Sequence, residues 1–192
     1  MSDLDVVIVA GGAQQKFFHP PTGAEIWGLN ALRPEWVPYW SRMFNLHMFE
    51  HLERDWPEGL EREKGWLTAN PTVPFYTCDP WPEWAVGQRR LPREELAKIP
   101  RGNYHAISLD WMVAFALHLG ARAIGLHGVR LVMRGDEPIS ARPCLEYWCG
   151  YAEGRGVTVT VAPDCDIFLQ YHLVKSRTLY GYDDIRLVED RP

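Results

Sequence analysis

Residues 104–131 read YHAISLDWMVAFALHLGARAIGLHGVRL, a helix, a glycine stop, a strand and a glycine turn in one unbroken unit. Ser108 stands where a helix N-cap belongs, and Leu109, Met112, Val113, Ala116 and Leu117 recur at the spacing of a buried helical face. Trp111, Ala114 and Phe115 make the opposite face apolar too, which predicts a helix packed on both sides, against a sheet and a neighbouring helix. Gly120 ends it. The strand that follows, from Ala123 to His127, is short and continuously apolar, as an interior parallel strand would be, and it finishes at Gly128. In open α/β sheets that is the end at which ligands gather.

The same grammar extends in both directions. DVVIVA (5–10) is a β-branched strand that opens directly into Gly11-Gly12. Residues 23–32, GAEIWGLNAL, suit either a short helix weakened by Gly28 or a loop returning Trp27 and Asn30 across the sheet edge. RMFNLH (42–47) reads as a second strand that continues into helix-favouring HMFEHLERD, and PFYTC (74–78) as a third strand ending at Asp79. The stretch 56–72 is polar and punctuated by Gly and Pro, and is expected to be a loop insertion. LPREELAKI carries helix-start signals, with Pro92 in the first turn and acids after it. After Gly128, MRGDEPIS reads as a polar excursion, ARPCLEYWCGYAEGRG as a helix stopping at Gly154 or Gly156, and VTVTV as a last strand closed by Pro163.

Strands alternating with helices, at spacings too long for hairpins, predict one α/β domain over residues 1–192: a Rossmann-like three-layer fold with a mostly parallel sheet. Residues 165–192 have no strong period and are expected to form a tail, a lid or the arm of a homodimer. A length of 192 residues suits one well-packed domain.

Composition excludes several classes. With 46% hydrophobic and 23% charged residues the chain is globular in character. No run approaches the roughly 18 apolar residues of a membrane span. MSDLDVVIVAGG lacks the basic start and cleavage site of a secretory signal, so a cytoplasmic location is expected. The four cysteines, Cys78, Cys144, Cys149 and Cys165, have no zinc-like spacing and are expected as buried free thiols, with no metal site. A net charge of −5 argues against a broad electrostatic grip on nucleic acid. Nine tryptophans and fifteen prolines concentrate between Pro34 and Trp84, as in RPEWVPYW and CDPWPEWAVG, where they stiffen surface loops or offer a stacking platform for a base or sugar.

Chemistry is expected at the strand ends, which a parallel sheet brings to one rim. These carry Gly11 and Gly12, Asn45 with His47, Thr77 with Asp79, and His127 with Gly128. A glycine pair lets backbone N–H groups approach a phosphate, and Ser108 with its helix N-terminus is a second anion site. Asn30 and Asn45 could hydrogen-bond a base or ribose, and Asp79 a hydroxyl or a metal. There is no GxGxxG, no GxxxxGK[ST] and no GxSxG, so Walker-type phosphoryl transfer and serine hydrolysis are disfavoured.

The stretch ISLDWMVAFALHLGARAIGLHGVRL resembles a segment of bacterial sialyltransferases, the motility accessory factor and archaeal hydroxymethylpterin diphosphokinases, with Ser108, Ala116, Gly120, Ile124, Leu126 and Gly128 keeping its pattern. VVIVAGGA is similar to that group's first strand and glycine loop, and WGLN and FNLH resemble its Asn-bearing, nucleotide-contacting segments. LEYWCGYAEGRGVTVTV also resembles uncharacterised phage-encoded proteins of the same layout. The resemblance implies a nucleotide or nucleotide-linked ligand and a transferase moving a glycosyl group, or a diphosphoryl group with Mg²⁺. It implies a His general base on a late loop, matched here only by His172; His47, at the end of a strand, is a second catalytic candidate. Where the group has an acid after the last glycine, this chain has Arg130, expected to face an anion. That departure also raises a second expectation, a phage factor that binds a nucleotide or a host protein without turnover.

Overall fold

The computed structural model describes residues 4–32, 34–131 and 137–168. In chain order the elements are β1 (Asp5–Val9), β2 (Glu25–Leu29), β3 (Arg42–Phe44), α1 (Phe49–Asp55), α2 (Pro57–Ala69), β4 (Phe75–Thr77), β5 (Gln88–Arg90), α3 (Arg93–Leu96), α4 (Ser108–His118), β6 (Ala123–His127), α5 (Glu137–Gly154) and β7 (Thr158–Val161). Among the described residues the strands make one seven-stranded sheet in the order β5-β4-β3-β2-β1-β6-β7, and every pairing is parallel. This is the α/β three-layer, Rossmann-like architecture expected from the alternation of elements.

The alternation within each strand sorts the core into two sides. Val6 and Ile8 of β1, Trp27 of β2, Phe44 of β3 and Ile124 and Leu126 of β6 face α4 and α5, meeting Met112, Val113, Phe115, Leu145 and Trp148. Val7, Val9 and Ile26 face the loop at Val37 and Trp40, and Met43 and Phe75 meet Leu52 of α1 and Leu60 and Leu67 of α2. α4 is apolar on both faces because it lies between sheet and α5, as its sequence predicts.

Several expectations need correction. The 56–72 segment is a helix for most of its length: Pro57 occupies its first turn and Leu60, Glu63 and Leu67 form a buried stripe. Its glycines disguise it, and Gly59 is there because the Trp56 ring packs where a Cβ would stand. Residues 23–32 form a strand followed by a 3₁₀ turn, and Gly28 leaves room for the Trp40 ring and for Met43 of the paired strand β3. α5 begins at Glu137, inside the stretch read as a polar excursion. β5 carries no hydrophobic residue and all three of its side chains are exposed, so it gives no strand signal. Of the 165–192 tail, Cys165 and Ile167 are buried in the core beside α5; 169–192 lie outside the described residues.

Candidate functional site

Strand order reverses at β1. The chain leaves β1 towards β2 and works outward to β5, then returns to β1's other side as β6. The crevice beyond the C-terminal ends of β1 and β6 is therefore the topological switch point of the sheet. A cavity of about 760 Å³ lies there, lined by Gly11 and Gly12 after β1, Asn30 after β2, His47 after β3, Asp79 after β4, Ser108 at the start of α4, and Gly128 and Arg130 after β6.

Two glycine loops make its floor. The Gly12 N–H donates to the Gly128 carbonyl at 3.1 Å, and a Cβ on Gly12 would meet that oxygen at 2.7 Å and the Arg130 Cγ at 2.5 Å. Gly128 has φ +68°, and a Cβ there would fall on the Ala13 backbone. Both positions are glycine because the loops touch each other and the Arg130 stem lies across Gly12. Ala10, Gly12, Ala13 and Gln14 all donate their N–H groups within the protein, to His127, Gly128, Ala10 and Asp164, so Gly11 holds the N–H this loop can offer a ligand.

The start of α4 differs from its sequence reading. Ser108 is the first helical residue and not the cap. Asp110 supplies the capping carboxylate, its Oδ2 accepting the Ala106 and Ile107 N–H groups at 2.8 and 3.0 Å. The first-turn N–H groups of a helix lack intrahelical partners, so Ser108 brings to the cavity its hydroxyl and the positive end of the α4 dipole.

Among the described residues the cavity is lined by two arginines, Arg93 and Arg130, and by one carboxylate, Asp79. Neither arginine has a carboxylate partner among the described residues. Arg93 lies over the Trp111 ring, 5.5 Å from its centroid. Cys78 also lines the cavity, and burial pushes its thiol above the usual range. Asn30 adopts φ +53°, a left-handed conformation Asn tolerates, and its Nδ2 is 3.5 Å from His47 Nε2.

Three residues expected at the rim do not line the cavity. Asn45 is buried, its Oδ1 accepting the His47 N–H at 3.4 Å, so it shapes the His47 turn. Thr77 is buried within β4. His127 lies beside Val9 in the sheet and packs edge-on against Phe18, on the face away from α4. His172 lies outside the described residues. Sequence reading missed Arg93, His105 and Trp111 as cavity residues: Arg93 reads as a helix start and Trp111 as core, and His105 precedes α4 with no periodic signal.

Fold and site together define an open parallel α/β protein with a cavity at its switch point. Among solved structures the chain is similar to the sialyltransferase CstII from Campylobacter jejuni, determined in complex with a substrate analogue, cytidine-5'-monophosphate. The superposition has a TM-score of 0.52 at 12% sequence identity and covers 97% of this chain and 95% of that one. At that identity the likeness is one of fold. No protein-family model and no curated protein sequence matches the chain.

Proposed function

We propose that the chain binds a nucleotide or nucleotide-linked donor in the switch-point cavity and transfers a glycosyl group from it. The observation that carries this reading is the convergence, at one crevice, of the Gly11 N–H, the α4 N-terminus with Ser108, and the guanidinium groups of Arg93 and Arg130. The likeness to a sialyltransferase fold supports it.

Each group has a role in this reading. Gly11 and Ser108 hold the phosphate, as a helix N-terminus and free amides do elsewhere. Asn30 reaches the base or ribose, and Asn45 holds the loop that presents His47. As the glycosyl bond breaks, negative charge grows on the departing phosphate, and Arg130 stabilises it in place, with no reorganisation needed. The acceptor hydroxyl passes its proton to a histidine; His47 stands in the cavity, and His172 is the candidate carried by the resemblance. For diphosphoryl transfer the cavity offers one carboxylate, Asp79, and a magnesium ion there would take its remaining ligands from phosphates and water. A second reading, a nucleotide- or host-protein-binding phage factor without turnover, is favoured by Arg130 standing where the resembled enzymes carry an acid.

A thermal-shift screen against nucleotides and nucleotide sugars, with and without Mg²⁺, tests the reading. A native-state ligand at about 100 times its Kd adds about 2.7 kcal/mol, which for a chain of this size raises Tm by roughly 5–10 °C. Silence across the panel removes the nucleotide reading. If a donor binds, His47→Ala and His172→Ala separate the two readings: an enzyme loses turnover in one of them and keeps binding.

A further inference from the structure

The residues after β7 grip both glycine loops. Asp164 is fully buried, and its carboxylate is held by the backbone of both loops: Oδ2 accepts the Gln14 N–H at 2.7 Å and Oδ1 accepts the Gly128 N–H at 2.8 Å, with the Cys165 Sγ 3.7 Å from Oδ1. Next along the chain, the Cys165 Sγ accepts from Val129 N–H at 3.4 Å and donates to the Leu126 carbonyl at 3.3 Å. Asp166 Oδ1 then accepts the Leu131 N–H at 2.7 Å, and its own N–H donates to the Val129 carbonyl at 2.9 Å. Arg130 thus stands between two residues, Val129 and Leu131, whose backbones are both tied to this segment. A buried carboxylate is costly unless its lone pairs are filled, so one that bridges two loops fixes their separation.

We propose that Asp164 is a positioning residue: it locks the 10–14 and 128–131 loops together and so holds Arg130 and the Gly11 N–H at the phosphate end of the cavity. The inference rests on the nucleotide reading for its ligand and on geometry for the lock. Asp164 does not line the cavity, so it acts through the loops and not by contact.

Asp164→Asn keeps the shape but turns one acceptor into an NH₂ group facing a backbone N–H. Two measurements on the full chain test it. In the unliganded protein, hydrogen exchange at the Gln14 and Gly128 amides should speed up by roughly tenfold or more, as for a lost charge-assisted bond, with the α4 amides unchanged. By calorimetry, affinity for cytidine-5'-monophosphate should fall by roughly tenfold while that for cytidine moves less than about threefold, because the phosphate end alone is disturbed. Arg130→Ala should narrow the same ratio, and adding Asp164→Asn to it should weaken the nucleotide little further.

Unchanged exchange at both amides overturns the lock. Equal losses for nucleotide and nucleoside reduce Asp164 to a general structural residue and also overturn the proposal. A wild-type protein that binds neither probe removes the nucleotide reading, while the exchange measurement still decides the lock. Should Asp164→Asn not fold, Asp166→Ala, which removes the acceptor of the Leu131 amide, should show faster exchange there and the same selective loss of nucleotide over nucleoside.

Discussion

His105 Nδ1 lies 2.8 Å from Asp110 Oδ1, and the histidine ring is stacked between the indoles of Trp111 and Trp148, with centroids 3.5 and 4.8 Å away. The N–H at Nδ1 donates to the carboxylate, which already accepts two backbone N–H groups, so Asp110 ties the segment before α4 to the helix it begins. Both side chains are almost wholly buried.

Asp110→Asn should therefore cost about 2–4 kcal/mol, the loss of a charged cap together with a buried hydrogen bond left mismatched. Urea unfolding followed by tryptophan fluorescence measures it. A change below about 0.5 kcal/mol would show that neither bond is formed in solution.

A second ionic network sits at the N-terminal ends of β2 and β3, away from the strand ends that carry the cavity. Glu25 opens β2 and Arg42 opens β3; the guanidinium grips the carboxylate through Nε and Nη2 at 2.6 and 3.0 Å, while Trp27 Nε1 donates to the same group at 2.7 Å. The Arg42 bond is the main cause holding the Glu25 carboxyl below its ordinary value of 4.5. A carboxyl depressed in the folded state adds stability that is complete above its unfolded pKa and is lost as pH falls through the folded one. Glu25→Gln should cost about 1–2 kcal/mol near neutrality, the partial exposure of the pair keeping the figure low, and the gap to wild type should close in acid. Ligand binding should not change. A gap that persists undiminished below about pH 3 would mean that the carboxylate's charge is not the cause.

Gly128→Ala should destabilise by about 3 kcal/mol or more, since the new methyl group would occupy the Ala13 backbone and φ is positive. Gly12→Ala should cost less because one of its two close neighbours is the flexible Arg130 stem. Chemical denaturation of the two variants checks the order, and the reverse order would place the loops differently.

Burial lowers His127 from its ordinary 6.5, with the Asp164 charge opposing. The unfolded chain then takes up the proton first as pH falls, so stability drops on acidification below about 6.5 and is intact above it. His127→Gln should flatten this slope between about pH 6.5 and 5 and leave cytidine-5'-monophosphate affinity unchanged, because the ring faces away from the cavity. Denaturation midpoints across that range decide it; an unaltered slope would assign the proton elsewhere.

Much of this was legible in residues 104–131, where helical and strand periods meet glycine punctuation, and in DVVIVA followed by two glycines. Local pattern carries those elements because each buries a continuous apolar face. β5 was not legible, since Gln88, Arg89 and Arg90 join the sheet through backbone alone. α2 was hidden by two glycines, of which Gly59 has a reason, the Trp56 ring, that is a packing fact. At the site, Ser108 could be found because a helix starts there, Asn30 and Arg130 through the resembled segments, and Gly11, Gly12, His47, Asp79 and Gly128 because a parallel sheet gathers strand ends. Side-chain direction is not in that rule, so it also swept in Asn45, Thr77 and His127. Arg93 and Trp111 reach the cavity from α3 and α4, and His105 from the segment before α4, which no strand-end argument covers.

The grip of Asp164 spans 150 positions to Gln14 but 36 to Gly128. During synthesis, β1 and its glycine loop leave the ribosome long before the residue that fastens them, so a nascent chain can pair its early strands and still have no finished crevice. In the proposed reading, nucleotide capture then waits on the segment after β7: until Asp164 is made, its carboxylate cannot fasten the two glycine loops to each other.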